Sequence, residues 1–237
     1  MTTERQGTGV SLPVRSLQNP AVNKIRTQYE EGLKGELRYQ TDYLPFTLHR
    51  QETLLEHVTD MLHMADEIER GCPALARIID MSEVKDITYV HDAGEIHKRV
   101  RDLPLSDPGH KDPIEYANHK RKERAAVRLM TQVLPEPYQT YVRTLSTRYE
   151  QNDPNDKEVL LTHWIDKVQA TVYIRTHATF DGDQEDKYIE QSLEKLDEET
   201  KPLLITLTKH PEAREEMLHL TESIRQIIYS GELISNN

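Results

Sequence analysis

The segment ETLLEHVTDMLHMADEIER, residues 52–70, decides the fold class. Its apolar residues recur at the i, i+3, i+4 and i+7 spacing of an amphipathic helix. This stripe consists of Leu54, Leu55, Val58, Met61, Leu62, Ala65 and Ile68. Gly71 and Pro73 follow, as residues of these types commonly do where a helix ends. The segment therefore predicts a helix with one buried face.

The same periodicity runs through most of the chain. It predicts further helices over residues 74–81, 82–96, 114–134, 136–150 and 157–180, and two or three more after residue 187. Ser82 is the expected N-cap of the 82–96 helix, and Asn155 or Asp156 that of the 157–180 helix. Neither an alternating strand pattern nor a glycine-rich phosphate loop is evident, so we predict an all-α protein.

Composition narrows the functional classes. The 237 residues carry a formal net charge of −11, which argues against binding to a nucleic-acid polymer. Because no apolar run reaches the length of a membrane span, no membrane association is expected. With one cysteine, Cys72, the chain forms no internal disulfide, and a reducing cytoplasm is the expected location.

Polar residues of metal-ligand type stand out against this helical background. In ITYVHDAGEI, residues 87–96, His91, Asp92 and Glu95 directly follow an apolar pair. His57 borders the stripe of the first helix, and Asp166 lies in an apolar run, where an unpaired carboxylate is costly to bury. Two imidazoles and two carboxylates together suit one divalent ion, such as manganese, cobalt, iron or zinc.

Each residue taken alone has a simpler explanation. His57 would be a half-buried core histidine, Asp166 an ion-pair partner of Lys167 or Arg175, and Glu95 a solvated side chain. A single His-Asp dipeptide is a weak signal. Only the joint pattern favours a metal site.

That joint pattern resembles the HD-domain metal-dependent phosphohydrolases, whose motif H…HD…D lies on separate helices. The likeness is closest to the HD-domain 5′-deoxynucleotidases and covers residues 40–180. It is carried by Arg50 with Glu56-His57 in HRQETLLEHV, by HDAGE, by DLP at residues 102–104, by Lys122-Glu123, and by Asp166 in WIDKVQA. It implies an HD-domain helical bundle over residues 21–180. Both ends of the chain fall outside the likeness: the glycine, proline and threonine content of residues 1–20 predicts a flexible tail, and residues 181–237 are expected to be accessory helices packed on the same domain.

The resemblance also implies the roles of the polar residues. His57, His91, Asp92 and Asp166 would hold one divalent ion. Glu95 would position or deprotonate the metal-bound water that attacks phosphorus. The expected activity is release of phosphate from a (deoxy)nucleoside 5′-monophosphate, a small nucleotide substrate, by a cytoplasmic enzyme that forms a homodimer.

Expected substrate contacts come from Tyr43, Arg50, Asp102, Leu103 and Pro104. Arg50 either clamps the phosphate or braces the site by pairing with a carboxylate. The family's Arg-Trp pair, which helps to exclude ribose, is replaced here by residues 42–43, Asp-Tyr, so the sugar preference stays open.

Three alternatives were weighed. Guanosine tetraphosphate hydrolases of the same superfamily are disfavoured, because Ile96 and Ala170 replace their characteristic residues. A two-metal phosphodiesterase or di-iron oxygenase would need extra ligands from His110, His119 or His163. A non-catalytic nucleotide-sensing or metal-sensing module would keep the scaffold without turnover.

Overall fold

The computed structural model describes residues 20–39, 44–96, 100, 111–136 and 138–231. Within these ranges it contains nine helices and one two-stranded sheet. The elements are α1 Pro20–Gly35, β1 Phe46–Leu48, α2 Leu54–Gly71, α3 Pro73–Ile78, α4 Met81–Val90, α5 Pro113–Thr131, α6 Tyr138–Gln151, α7 Lys157–His177, β2 Ala178–Phe180, α8 Gln184–Thr206 and α9 Pro211–Ser230. The predicted all-α class is confirmed. The predicted tail, residues 1–20, lies outside the described residues except for its last position.

Helix α7 is the central element of the protein. Apolar residues surround it on every side, as is expected of a helix buried all round. Leu161, Trp164 and Ile165 are fully buried in a cluster to which α2, α3, α4, α8 and α9 also contribute. The indole nitrogen of Trp164 donates a hydrogen bond to Thr200 Oγ1 at 3.0 Å, which ties α7 to α8. A polar residue on α7 is therefore held in rigid surroundings.

Capping sets where the site-bearing helices begin. Thr53 and Glu56 form a capping box at the start of α2, with Thr53 Oγ1 accepting from the Glu56 amide at 3.1 Å. Asp156 caps α7, one of the two residues predicted for that position. The expected Ser82 cap is wrong, because α4 begins two residues earlier. There the Asp80 carboxylate accepts from the amides of Ser82 and Glu83.

The small sheet closes one end of α7. β1 and β2 are antiparallel, with Phe46 opposite Phe180, and the His49 amide donates to the His177 carbonyl at 2.9 Å. The sequence pattern did not predict these strands, because three residues are too few to show an alternation. The pairing fixes the segment before α2 against the end of α7.

No helix in the described part of the chain is long and apolar enough to span a membrane.

Candidate metal centre

Four of the sequence-predicted residues come together from three parts of the chain. His57 lies on α2, His91 and Asp92 directly follow α4, and Asp166 lies on α7. The three elements pack against one another, which brings His57, His91 and Asp92 together and places Asp166 beside His57. His57 Nε2 is 3.3 Å from Asp166 Oδ1 and 3.6 Å from Asp92 Oδ2. One donor atom from each of His57, His91 and Asp92 lies within 4.8 Å of the other two.

The backbone after α4 differs from the expected helix over residues 82–96. The helix ends at Val90, and residues 91–96 form successive turns. In these turns the Ala93 amide donates to the Val90 carbonyl at 3.1 Å and the Glu95 amide to the Asp92 carbonyl at 2.9 Å. His91 and Glu95 therefore do not share a helix face as their spacing predicted.

Two ring nitrogens identify the point at which an ion fits. His57 Nε2 and His91 Nε2 are buried, and neither has a hydrogen-bond partner. His91 Nδ1 lies 2.7 Å from the Thr88 carbonyl, which can only accept, so this nitrogen carries the hydrogen, and in the neutral ring Nε2 presents a lone pair 3.1 Å from Asp92 Oδ1. Buried polar atoms without partners are rare and costly. Two such lone pairs beside two carboxylates match the ligand set of a divalent transition metal.

The Asp166 carboxylate is oriented by its neighbours. Its Oδ2 accepts hydrogen bonds from the Tyr149 hydroxyl at 3.1 Å and from Lys167 Nζ at 2.7 Å, while Oδ1 faces His57. Burial by itself raises the pKa of Asp166, but the Lys167 charge and the adjacent His57 imidazole outweigh it and hold this pKa well below its usual range. The pairing with Lys167 that the sequence offered as an alternative is therefore present together with the contact to His57.

Asp92 is held in the ionised state in a similar way. Burial raises the pKa of its carboxyl, but the adjacent His91 and His57 imidazoles and the Arg38 charge lower it far below its usual value. Metal ligands must be deprotonated to bind. Both carboxylates therefore meet that requirement near neutral pH.

The other predicted residues lie around this point or outside the described residues. Glu95 is half-buried in the turn, and its charge contributes to the raised pKa of Lys120 on α5. The Arg50 side chain is 57% exposed and pairs with the Glu56 carboxylate. Of the two roles considered for Arg50, this is the pairing with a carboxylate rather than the phosphate clamp. The remaining substrate contacts lie outside the described residues: Tyr43, Asp102, Leu103 and Pro104.

The extra histidines considered for a two-metal site have other partners. His119 Nε2 is 2.8 Å from Glu123 Oε1, and His163 Nε2 is 2.9 Å from the Tyr149 carbonyl. The His163 ring also stacks on Tyr149 with a centroid distance of 4.0 Å. His110 is not among the described residues.

Sequence reasoning missed the polar residues behind His57. Arg38, Glu52 and Gln169 form a buried hydrogen-bonded group on the side of the ring away from the carboxylates. A signal for one of them was available, because Gln169 follows Asp166 by three residues and so lies on the same face of α7. Tyr149 also went unnoticed, and it carried no comparable signal.

Comparison with known proteins identifies the family. A family model described as an HD domain matches residues 31–206. The chain belongs to the HD-domain family. This HD domain is similar in structure to a protein from Magnetospirillum magnetotacticum MS-1 whose crystal structure is described as that of a predicted metal-dependent phosphohydrolase. The TM-score is 0.57 at 15% sequence identity, over 89% of this chain and 95% of that one. A similarity at this level of identity shows a shared fold and nothing more. No curated protein sequence matches significantly.

Proposed function

We propose that this HD domain is a metal-dependent phosphohydrolase that uses one divalent ion, held by His57, His91, Asp92 and Asp166. The observation that carries the proposal is the convergence of two unpartnered, buried Nε2 atoms on two ionised carboxylates. The description of the structural relative as a predicted metal-dependent phosphohydrolase supports the same reaction class. Manganese, cobalt, iron and zinc all accept this ligand set.

The residues around the proposed ion have two kinds of role, orientation of the ligands and proton transfer. When bound, a divalent ion acidifies water and withdraws charge from a phosphoryl oxygen. His91 is oriented for binding by the Thr88 carbonyl, and Asp166 by Tyr149 and Lys167. Glu95 is the residue proposed to take a proton from the attacking water, because it is a half-buried carboxylate in the same turn as Asp92.

The proposed substrate is a (deoxy)nucleoside 5′-monophosphate, on the basis of the resemblance to the HD-domain 5′-deoxynucleotidases. Tyr43, Asp102, Leu103 and Pro104 are the proposed contacts to the nucleoside. Arg50, already paired with Glu56, is proposed to brace the segment before α2 rather than to hold the phosphate. The homodimer and the cytoplasmic location stay predictions.

A phosphate-release assay tests the activity. The metal-stripped protein would be assayed against deoxyribonucleoside and ribonucleoside monophosphates, with Mn²⁺ or Co²⁺ and with chelator. We expect metal-dependent release that Asp92→Ala abolishes, together with a loss of metal affinity of more than about 100-fold, beyond what loss of an outer partner costs. Far-UV circular dichroism should stay close to that of the wild type.

Asp60→Ala provides the matched control, because Asp60 is an exposed aspartate on α2, the helix of His57. It should leave phosphate release and metal affinity unchanged. Hydrolysis by Asp92→Ala at the wild-type rate would exclude the proposed site. Metal and nucleotide binding without turnover would support a sensor, and two ions per chain by elemental analysis would support the two-metal enzyme.

A further inference from the structure

A chain of buried hydrogen bonds stands behind His57, on the side away from the carboxylates. His57 Nδ1 is 2.6 Å from Gln169 Oε1, and Gln169 Nε2 donates to Glu52 Oε1 at 2.6 Å. Arg38 donates to Glu52 Oε2 at 3.2 Å. His57 and Glu52 are fully buried, and Gln169 is 4% exposed. Three segments that are far apart in sequence are therefore joined at one imidazole.

The chemistry of the partners determines which atom donates in each of these hydrogen bonds. An ionised carboxylate only accepts, so Glu52 requires the NH₂ group of the Gln169 amide. The amide oxygen must then face His57, and an oxygen acceptor requires that His57 Nδ1 carry the hydrogen. The Nε2 atom is left with a free lone pair, and this is the atom that lies 3.3 Å from Asp166 Oδ1.

Arg38 completes the group by balancing the buried charge of Glu52. Its side chain is 12% exposed, and its amide also donates to the Glu52 carbonyl at 2.8 Å. The guanidinium also lies 2.7 Å from His57 Nδ1 and can only donate, so it competes with the Gln169 oxygen for this nitrogen and by itself would favour a lone pair on Nδ1. Without a counter-charge, a fully buried carboxylate would be strongly destabilising.

We propose that Gln169 is a positioning residue which, oriented by Glu52, holds His57 in the tautomer that presents Nε2 to the metal ion. This inference rests on the proposed metal site and adds the residues that prepare its most deeply buried ligand. Gln169 stands one turn from Asp166 on α7, so the same contact also sets the distance between His57 and Asp166. An outer partner of a metal-binding histidine typically contributes a factor of about 10 to 100 in affinity.

Glu52→Gln tests the direction of these hydrogen bonds with almost no change in side-chain shape. The amide introduced at position 52 satisfies Arg38 with its oxygen and turns its NH₂ group toward residue 169. The Gln169 amide then reverses and donates to His57 Nδ1, which moves the ring hydrogen to Nε2. We expect long-range ¹H–¹⁵N correlation spectra of the metal-free protein to report Nδ1–H for His57 in the wild type and Nε2–H in the variant. The Kd for Mn²⁺ should rise about 10-fold to 100-fold.

Gln169→Met is the second variant, because it keeps the Arg38–Glu52 pair and so remains informative if Glu52→Gln does not fold. It removes the acceptor for Nδ1–H, and the Kd for Mn²⁺ should again rise about 10-fold to 100-fold. Glu216→Gln is the matched control. The Glu216 carboxylate accepts from the Ala74 and Leu75 amides at the start of α3, so its loss should lower stability without changing metal affinity.

The outcomes separate this inference from the proposed function. Wild-type metal affinity in both variants, or an unchanged His57 tautomer in Glu52→Gln, would overturn the positioning role while leaving the phosphohydrolase intact. Wild-type protein that binds Mn²⁺ and shows the tautomer change, but releases no phosphate from any substrate, would keep the positioning role and remove the proposed activity. A wild-type ring with Nε2–H would exclude the inference directly.

Discussion

Replacement of Gly94 by alanine tests whether the turn that carries Asp92 packs against α5 as closely as the structure indicates. A Cβ atom at this buried position would lie 3.0 Å from the Cα, Cβ and carbonyl oxygen of Glu123. Ordinary carbon contacts are about 3.5–4.0 Å, so the turn and the helix would have to separate by roughly half an ångström. Because two of the three neighbouring atoms are helix backbone, a side-chain rotation cannot relieve the contact.

The expected loss of stability follows from these contacts. Overpacking of this kind costs about 1–3 kcal/mol, and alanine recovers about 0.4–1 kcal/mol by restricting the unfolded chain. The net loss is then about 1.3 kcal/mol at the middle of these ranges, or a Tm lower by roughly 3–5 °C for a chain of this size. Guanidinium denaturation followed by circular dichroism at equal protein concentration measures it.

Gly71→Ala is the matched control for Gly94→Ala. Gly71 is the last residue of α2, and a Cβ atom there would have no neighbour within 4 Å. This variant should be as stable as the wild type or more stable by about 0.4–1 kcal/mol. If Gly94→Ala proved no less stable than Gly71→Ala, the close packing of the HDAGE turn on α5 would be refuted.

Two further predictions concern the helices that carry the site. Burial raises the pKa of Asp86 to about 6, despite a hydrogen bond from the Tyr141 hydroxyl at 2.8 Å. Because the folded-state pKa exceeds the unfolded value, this group favours the folded state most below about pH 4, and that contribution is lost as the pH rises through 6. Asp86→Asn should therefore be more stable than the wild type by about 1 kcal/mol at pH 7.5, after allowance for solvent screening, and should lose this advantage near pH 4. Urea denaturation at the two pH values measures the difference. An equal difference at both pH values would contradict the raised pKa of Asp86. Thr53→Ala removes the α2 capping box and should lower the free energy of unfolding by about 1 kcal/mol. Thr59→Ala, inside the same helix, is the control and should leave stability nearly unchanged. Equal decreases in Tm for the two variants in thermal denaturation would argue against the cap.

The helices were predictable because their signals are local. The apolar stripe on α2 and the apolar run within α7 are visible in the sequence alone, and the ligand types of His57 and Asp166 can be read beside them. The predicted helix after Val90 was wrong because continuation depends on a distant contact. Gly94 packs against the backbone of α5, and no spacing within residues 82–96 encodes that neighbour.

The capping error has a similar origin. Asp80 and Ser82 are both good N-cap residues, and each stands near the start of the apolar pattern of α4. The structure selects Asp80, whose own amide is held by the Glu158 carboxylate at 3.1 Å. A residue from α7 therefore takes part in the choice of where α4 begins, and inspection of the α4 sequence alone cannot include it.

By itself, the sequence determined that this HD domain is helical and that two histidines and two aspartates are the residues of interest, because periodicity and ligand chemistry are properties of short segments. Only the tertiary structure decided that His57, His91 and Asp92 lie close together and that Asp166 contacts His57. It also decided that Nε2 of His57 faces the carboxylates while Nδ1 faces Gln169, which is 112 residues away in sequence. A tautomer is set by the partners that fold against the ring, and those partners become neighbours only when α2 packs on α7.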